Sequence, residues 1–198
     1  MERTAFEWKT VALWGFVLFA VFTFGAFVGE PFTGTCMFVL MPYFAAIAAC
    51  MPIVKVRRFG AGILTFIPYA VLGFVPLLYF DWLQSRALWG LWAVFVWSAT
   101  GPIIGLTADL AYLATGRLSQ STRAIVVGAT IQAMTFALML LGLTFLYSDP
   151  SAGDSHLRLF DRYWFFTAPW MAVNGAFGGF TAHALANRAA RDTSASIR

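Results

Sequence analysis

The chain reads as an all-α integral membrane protein: a polytopic bundle of six transmembrane helices, in a single domain over residues 1–198, with both termini cytoplasmic. Three observations predict this. Hydrophobic residues make up 60% of the sequence and charged residues only 11%, too few to coat a water-soluble domain of this size. Apolar runs long enough to cross a ~30 Å hydrocarbon core recur along the chain. Those runs do not alternate polar with apolar positions, as Phe16-Val-Leu-Phe-Ala-Val-Phe22 illustrates, so strands of a membrane barrel are excluded.

The first run covers residues 8–28. Its leader mixes Glu2 and Glu7 with Arg3 and Lys9, and its length exceeds that of a signal core, so it is expected to be retained. The turn Gly29-Glu-Pro-Phe-Thr-Gly34 leads to the second run, 32–54. Cys36 and Cys50 lie there about four helical turns apart, beyond the ~4.4–6.8 Å reach of a disulfide. The third run covers 59–80 and the fourth 87–115. As one straight helix the fourth would be ~43 Å long, so it must tilt, protrude or break. Pro102 offers a break, because it has no N–H for the carbonyl of Ser98. A kink that only sets shape and an opening that presents carbonyls to a ligand are both open. The fifth and sixth runs cover 124–147 and 163–186. Between them, 148–162 is the one connector long enough to form a surface-lying turn or lid, or else a plain linker.

Basic residues set the orientation. With the amino terminus inside, the inner segments hold Arg3, Lys9, Lys55, Arg57, Arg58, Arg117, Arg123, Arg188, Arg191 and Arg198. The outer segments hold only Arg86, Arg158 and Arg162. This is the positive-inside bias, and it accounts for the net charge of +4. A nucleic-acid surface is not expected, since no basic cluster falls on a soluble face.

Small residues recur one turn apart, at Ala45 and Ala49, Gly101 and Gly105, and Gly175 and Gly179. Lipid gives helices no hydrophobic reason to associate, so such pairs matter for close packing. They serve either this bundle or a partner protein, and Ala45, Ala49, Gly175 and Gly179 are the candidate docking residues. Asp109 is the one acid well inside a run. A carboxylate there needs a partner, and Arg117 is the expected one, with Arg123 and Arg57 as alternatives; a role in ion coupling is the other reading. Gln132 likewise needs a partner in lipid.

Aromatic residues gather toward the outer side, and an interfacial belt explains most of them. Trp97, Trp170 and Asn174 lie deeper than a belt requires. They predict an outward-opening cavity for a planar heterocyclic solute, with Glu30, Asp81 and Trp82 at its mouth. No metal site is expected: His156 and His183 fall on opposite sides, and Cys36 and Met37 lie far from Cys50 and Met51 along their helix. No nucleophile elbow, phosphate-binding loop or carboxylate pair appears, so neither an enzyme nor a bound cofactor is expected.

Two stretches resemble the substrate-binding S components of energy-coupling-factor (ECF) vitamin transporters. One is Gly101-Pro-Ile-Ile-Gly-Leu-Thr-Ala-Asp-Leu110, running on to Ala114-Thr-Gly116; the other is Pro169-Trp-Met-Ala-Val-Asn-Gly-Ala-Phe-Gly-Gly179. The subgroup for thiamine and its hydroxymethylpyrimidine precursor is nearest. The first run lacks the Ala-x-x-x-Ala docking face of that family, so Gly15 or the Ala45/Ala49 pair would have to replace it. The resemblance implies a vitamin or micronutrient importer subunit in a prokaryotic cytoplasmic membrane. Its partners would be the lipid bilayer, the small-molecule solute, a transmembrane coupling protein and cytoplasmic ATPases. The alternative is a non-catalytic integral subunit of a larger membrane complex.

Overall fold

The six apolar runs become six helices, and no strand occurs among the described residues. The computed structural model describes residues 2–29, 40–72, 89–146 and 164–196. The helices are α1 (Glu2–Gly29), α2 (Met41–Val56), α3 (Ala61–Leu72), α4 (Trp89–Ala114), α5 (Gln120–Leu146) and α6 (Trp164–Ser196). Cys36, the turn at 29–34 and the possible lid at 148–162 lie outside the described residues, apart from Gly29. Among those residues one segment, Gln120–Leu138, is a helix long and apolar enough to cross a membrane, with a mean hydropathy of 1.2. Met41–Val56 and Ala61–Leu72 are shorter apolar helices. Pro102 does not break α4, which continues as helix from Trp89 to Ala114.

Packing follows side-chain size. The helices α1, α3, α4, α5 and α6 touch in that order along an arc, and α2 lies against α1, α3, α5 and α6. Its sequence explains that central place. Eleven of its 16 residues are buried, and Ala45, Ala46, Ala48, Ala49 and Cys50 are small enough to admit neighbours on several sides. The core continues outward through Leu18 of α1, Phe66 of α3, Ala108 of α4, Ile131 of α5 and Ala182 of α6.

At two seams, backbone meets backbone. Between α3 and α4, a Cβ placed on Gly62 would lie 2.5 Å from the Gly105 carbonyl oxygen, and one on Gly105 would lie 2.6 Å from that of Gly62. Between α5 and α6, a Cβ on Gly128 would collide with the Gly175 carbonyl, and one on Gly179 with the Ala124 carbonyl. These contacts fix the antiparallel register of each pair. They also settle where the small pairs lie: Ala45, Ala49, Gly175 and Gly179 are buried inside the bundle. Of the two readings, packing within the bundle is the one this burial fits, because helices of the same chain lie against them. Gly15 is taken as well, by Pro68 and the Thr65 carbonyl of α3.

The bulky residues point the other way. On α4 the outward stripe is Ala99, Ile103, Leu106, Leu110 and Leu113, while Thr100, Gly101, Gly105, Asp109 and Tyr112 face inward. On α6, Phe166, Trp170, Val173, Phe177 and Phe180 face outward, and Gly175, Gly178, Gly179 and Ala182 inward. Leu110 is 50% exposed and Phe177 63%, against 2% for Asp109. A helix on the surface of a soluble protein shows the reverse pattern.

The seams predict opposite outcomes for neighbouring residues of α6. Gly175→Val drives three carbons into the Gly128 carbonyl, and is expected to cost at least the ~1–3 kcal/mol of core overpacking. Phe177→Ala, one turn-fraction away on the outer face, is expected to change stability by less than ~0.5 kcal/mol. Thermal unfolding of the two purified variants in one detergent checks this.

Candidate functional site

The best-built polar arrangement joins α3 to α4. Helix α2 ends at Arg57, which is left-handed (φ 55°) and returns its N–H to the Ile53 carbonyl at 3.0 Å. Gly60 then turns the chain with φ 95°, a backbone conformation that glycine tolerates best. Helix α3 therefore starts at Ala61 with no Ser, Thr, Asp or Asn in the preceding Arg57-Arg58-Phe59-Gly60 to cap it. Its first N–H groups, buried at Gly62 and partly buried at Ile63, must find acceptors elsewhere. Asp109 supplies them from α4. Its Oδ1 accepts from Gly62 N–H at 2.9 Å, and its Oδ2 from Gly60 and Ile63 N–H at 3.0 and 3.2 Å.

Charge, geometry and sequence spacing agree here. A carboxylate at a helix N-terminus is favoured by the helix dipole as well as by the hydrogen bonds. Gly101, Gly105 and Asp109 are four residues apart, so they share one face of α4. The two glycines let α4 approach until the carboxylate reaches the α3 amides. Both oxygens are then engaged, so Asp109 holds two helices together rather than offering a free base.

The expected partner of Asp109 is corrected accordingly. Arg117 is exposed in the α4–α5 connector, and Asp109 binds amides instead. Arg57 directs its Nε to the Val54 carbonyl at 3.2 Å. Arg123 of α5 lies over the Tyr112 ring at 3.7 Å and donates from Nη2 to the Tyr112 carbonyl at 2.7 Å. Tyr112 in turn donates to Gln120 Oε1 at 3.3 Å, which closes the corner between α4 and α5. Ser119 caps α5, accepting the Thr122 N–H at 3.2 Å.

Further polar contacts run between helices and within α6. Gln132 donates from Nε2 to the Pro42 carbonyl at 2.8 Å, linking α5 to α2. Tyr43 and Thr181 share a 3.0 Å hydroxyl contact between α2 and α6. His183 pairs with Asn187 at 2.9 Å, one turn along the same helix. No group of three or more His, Cys, Asp or Glu residues able to hold a metal occurs among the described residues.

The proposed solute cavity is only partly in view. Glu30, Asp81 and Trp82 lie outside the described residues, and the side chain of Trp97 on α4 does too. Trp170 is 43% exposed on the outward stripe of α6. Asn174 spends its amide on the Trp170 carbonyl at 2.9 Å, within its own helix. The two residues thus stand one turn apart, with Trp170 turned from the bundle interior. Gly60, Gly62, Ile63 and the Tyr112–Arg123 stack are the polar contacts that the sequence expectations missed.

Comparison with protein-family models, with curated proteins and with solved structures finds no match.

The α3–α4 clamp predicts a specific loss in Asp109→Asn. The amide keeps one acceptor and turns an NH2 toward donors, so about 2–3 kcal/mol of stability is expected to go. Arg117→Ala is expected to stay within ~0.5 kcal/mol of the parent. Denaturant unfolding of both variants is the check, and equal losses would contradict the clamp.

Proposed function

We propose that the chain is a six-span integral membrane protein of a prokaryotic cytoplasmic membrane, both ends in the cytoplasm, serving as the solute-binding subunit of a micronutrient importer. One observation carries the membrane part of this reading: bulky apolar stripes face outward on α4 and α6 while glycine, alanine, threonine and Asp109 face inward. In water each exposed Leu or Phe forgoes about 1.5–3 kcal/mol available from burial. In lipid that cost vanishes, and helices must hold together by close packing and hydrogen bonds. The glycine seams and the Asp109, Gln132 and Tyr43 links are interactions of that kind. The connectors 57–60 and 115–119 share one end of the bundle, and the bases there supply the positive-inside bias.

The import role draws on the two stretches that resemble ECF S components. Gly101, Gly105 and Asp109 build the α3–α4 seam, and Gly175 and Gly179 build the α5–α6 seam. Both stretches therefore act as fold-setting segments, as a shared architecture would require. A coupling protein and cytoplasmic ATPases would supply energy, since the sequence holds no phosphate-binding loop. With Gly15, Ala45 and Ala49 enclosed, the exposed Ala12, Phe16 and Ala20 on α1 are the face left for docking. The alternative is a non-catalytic subunit of a larger complex, with its aromatic girdle and outward apolar stripes as the protein contacts.

Thermal unfolding of the purified full chain with thiamine and hydroxymethylpyrimidine tests the import role. A binder gains about 2.7 kcal/mol at a hundredfold excess over its dissociation constant. A chain that responds to neither compound and carries no co-purified small molecule contradicts the reading.

A further inference from the structure

The end of the bundle that carries the two short connectors has a feature that solute binding leaves unused. Each connector presents a cation followed by a bulky apolar residue: Arg58-Phe59 in the first and Arg117-Leu118 in the second. Phe59 is 53% exposed and Leu118 45%. Neither is displayed by slack chain. Phe59 stands between Arg57, bonded to the Ile53 carbonyl at 3.0 Å, and Gly60, held by Asp109 at 3.0 Å. Leu118 bonds its own N–H to the Thr115 carbonyl at 2.9 Å and is followed by Ser119, the cap of α5.

Charge around these two tips is one-sided. Lys55, Arg57, Arg58 and Arg117 are exposed beside them. Of the acids whose side chains are described at this end, Asp109 is buried in its clamp, Glu7 is paired with Arg58 at 3.3 Å, and Asp192 lies on the α6 tail; Glu2 stands at the start of α1. An apolar tip flanked by cations is suited to the boundary between phosphate headgroups and acyl chains. Two such tips on separate connectors match a plane of negative charge better than a single acidic peptide.

We propose that this end of the bundle is a seat for acidic phospholipid. Phe59 and Leu118 enter the acyl boundary of the inner leaflet, while Lys55, Arg57, Arg58 and Arg117 engage lipid phosphates. The inference rests on the membrane reading above and adds to it a preference for headgroup charge.

The test uses the full chain in detergent with equimolar phosphatidylglycerol and phosphatidylcholine, and native mass spectrometry counts the lipids retained. The parent is expected to retain phosphatidylglycerol preferentially. Arg57→Gln/Arg58→Gln/Arg117→Gln is expected to lower that preference by about fivefold per cation removed. Arg117→Gln alone, at an exposed position outside the clamp, gives one such step if the triple variant fails to fold. Phe59→Ser/Leu118→Ser is expected to reduce retention of both lipids and leave their ratio unchanged. Equal retention of the two lipids by the parent overturns the proposal, as does an unchanged ratio in Arg117→Gln. Loss of a co-purifying protein with the lipid ratio intact also overturns it, because the face would then be a protein dock. Carbonate extraction of cell membranes separates the two readings. A chain released by carbonate sinks the membrane assignment itself; one that resists carbonate but shows no lipid preference sinks only the seat.

Discussion

Backbone contact across glycine is the constraint from which the rest of this structure follows. Where Gly62 meets Gly105, and Gly128 meets Gly175, no side chain larger than hydrogen fits between the helices. Close approach leaves no room for side chains at those seams, so the Leu residues of α4 and the Phe and Trp residues of α6 fall on the opposite, outer stripes. The same approach brings the Asp109 carboxylate within 2.9–3.2 Å of the Gly60, Gly62 and Ile63 amides at the start of α3. Remove the glycines and the clamp loses its reach; remove the clamp and the first turn of α3 loses its acceptors, leaving the buried Gly62 N–H unsatisfied.

Much of the architecture was legible because apolar run length reports helices directly. Each of the six runs contains one helix where the structure describes it, and the short connectors at 57–60 and 115–119 fall where basic residues and turn formers interrupt the pattern. Pro102 misled, because a missing N–H weakens one helical bond without forcing the helix to end. The small-residue pairs were legible as packing elements but not as to which helix they pack against. Spacing marks a face; it does not name the neighbour that covers it.

Asp109 shows the same limit more sharply. Its depth in an apolar run demanded a partner, and a nearby arginine was the obvious candidate. The actual partners are backbone amides 46 to 49 residues away in sequence. One signal pointed there: α3 begins after Arg57-Arg58-Phe59-Gly60, which offers no capping side chain. An uncapped helix start and an unpaired buried acid satisfy each other, and the fold joins them. The aromatic cavity was less legible, since Trp170 lies on an outward stripe that sequence depth alone does not distinguish from an inward one.

We propose that this bundle wears its bulky apolar side chains toward lipid. The most direct measurement places a spin label at Leu106, Leu110 or Phe177, in a chain whose two cysteines are replaced by alanine, reconstituted in bilayers. If these stripes face acyl chains, collisions with dissolved oxygen will exceed those with a water-soluble paramagnetic reagent at all three positions. Dominant relaxation by the water-soluble reagent would contradict the account.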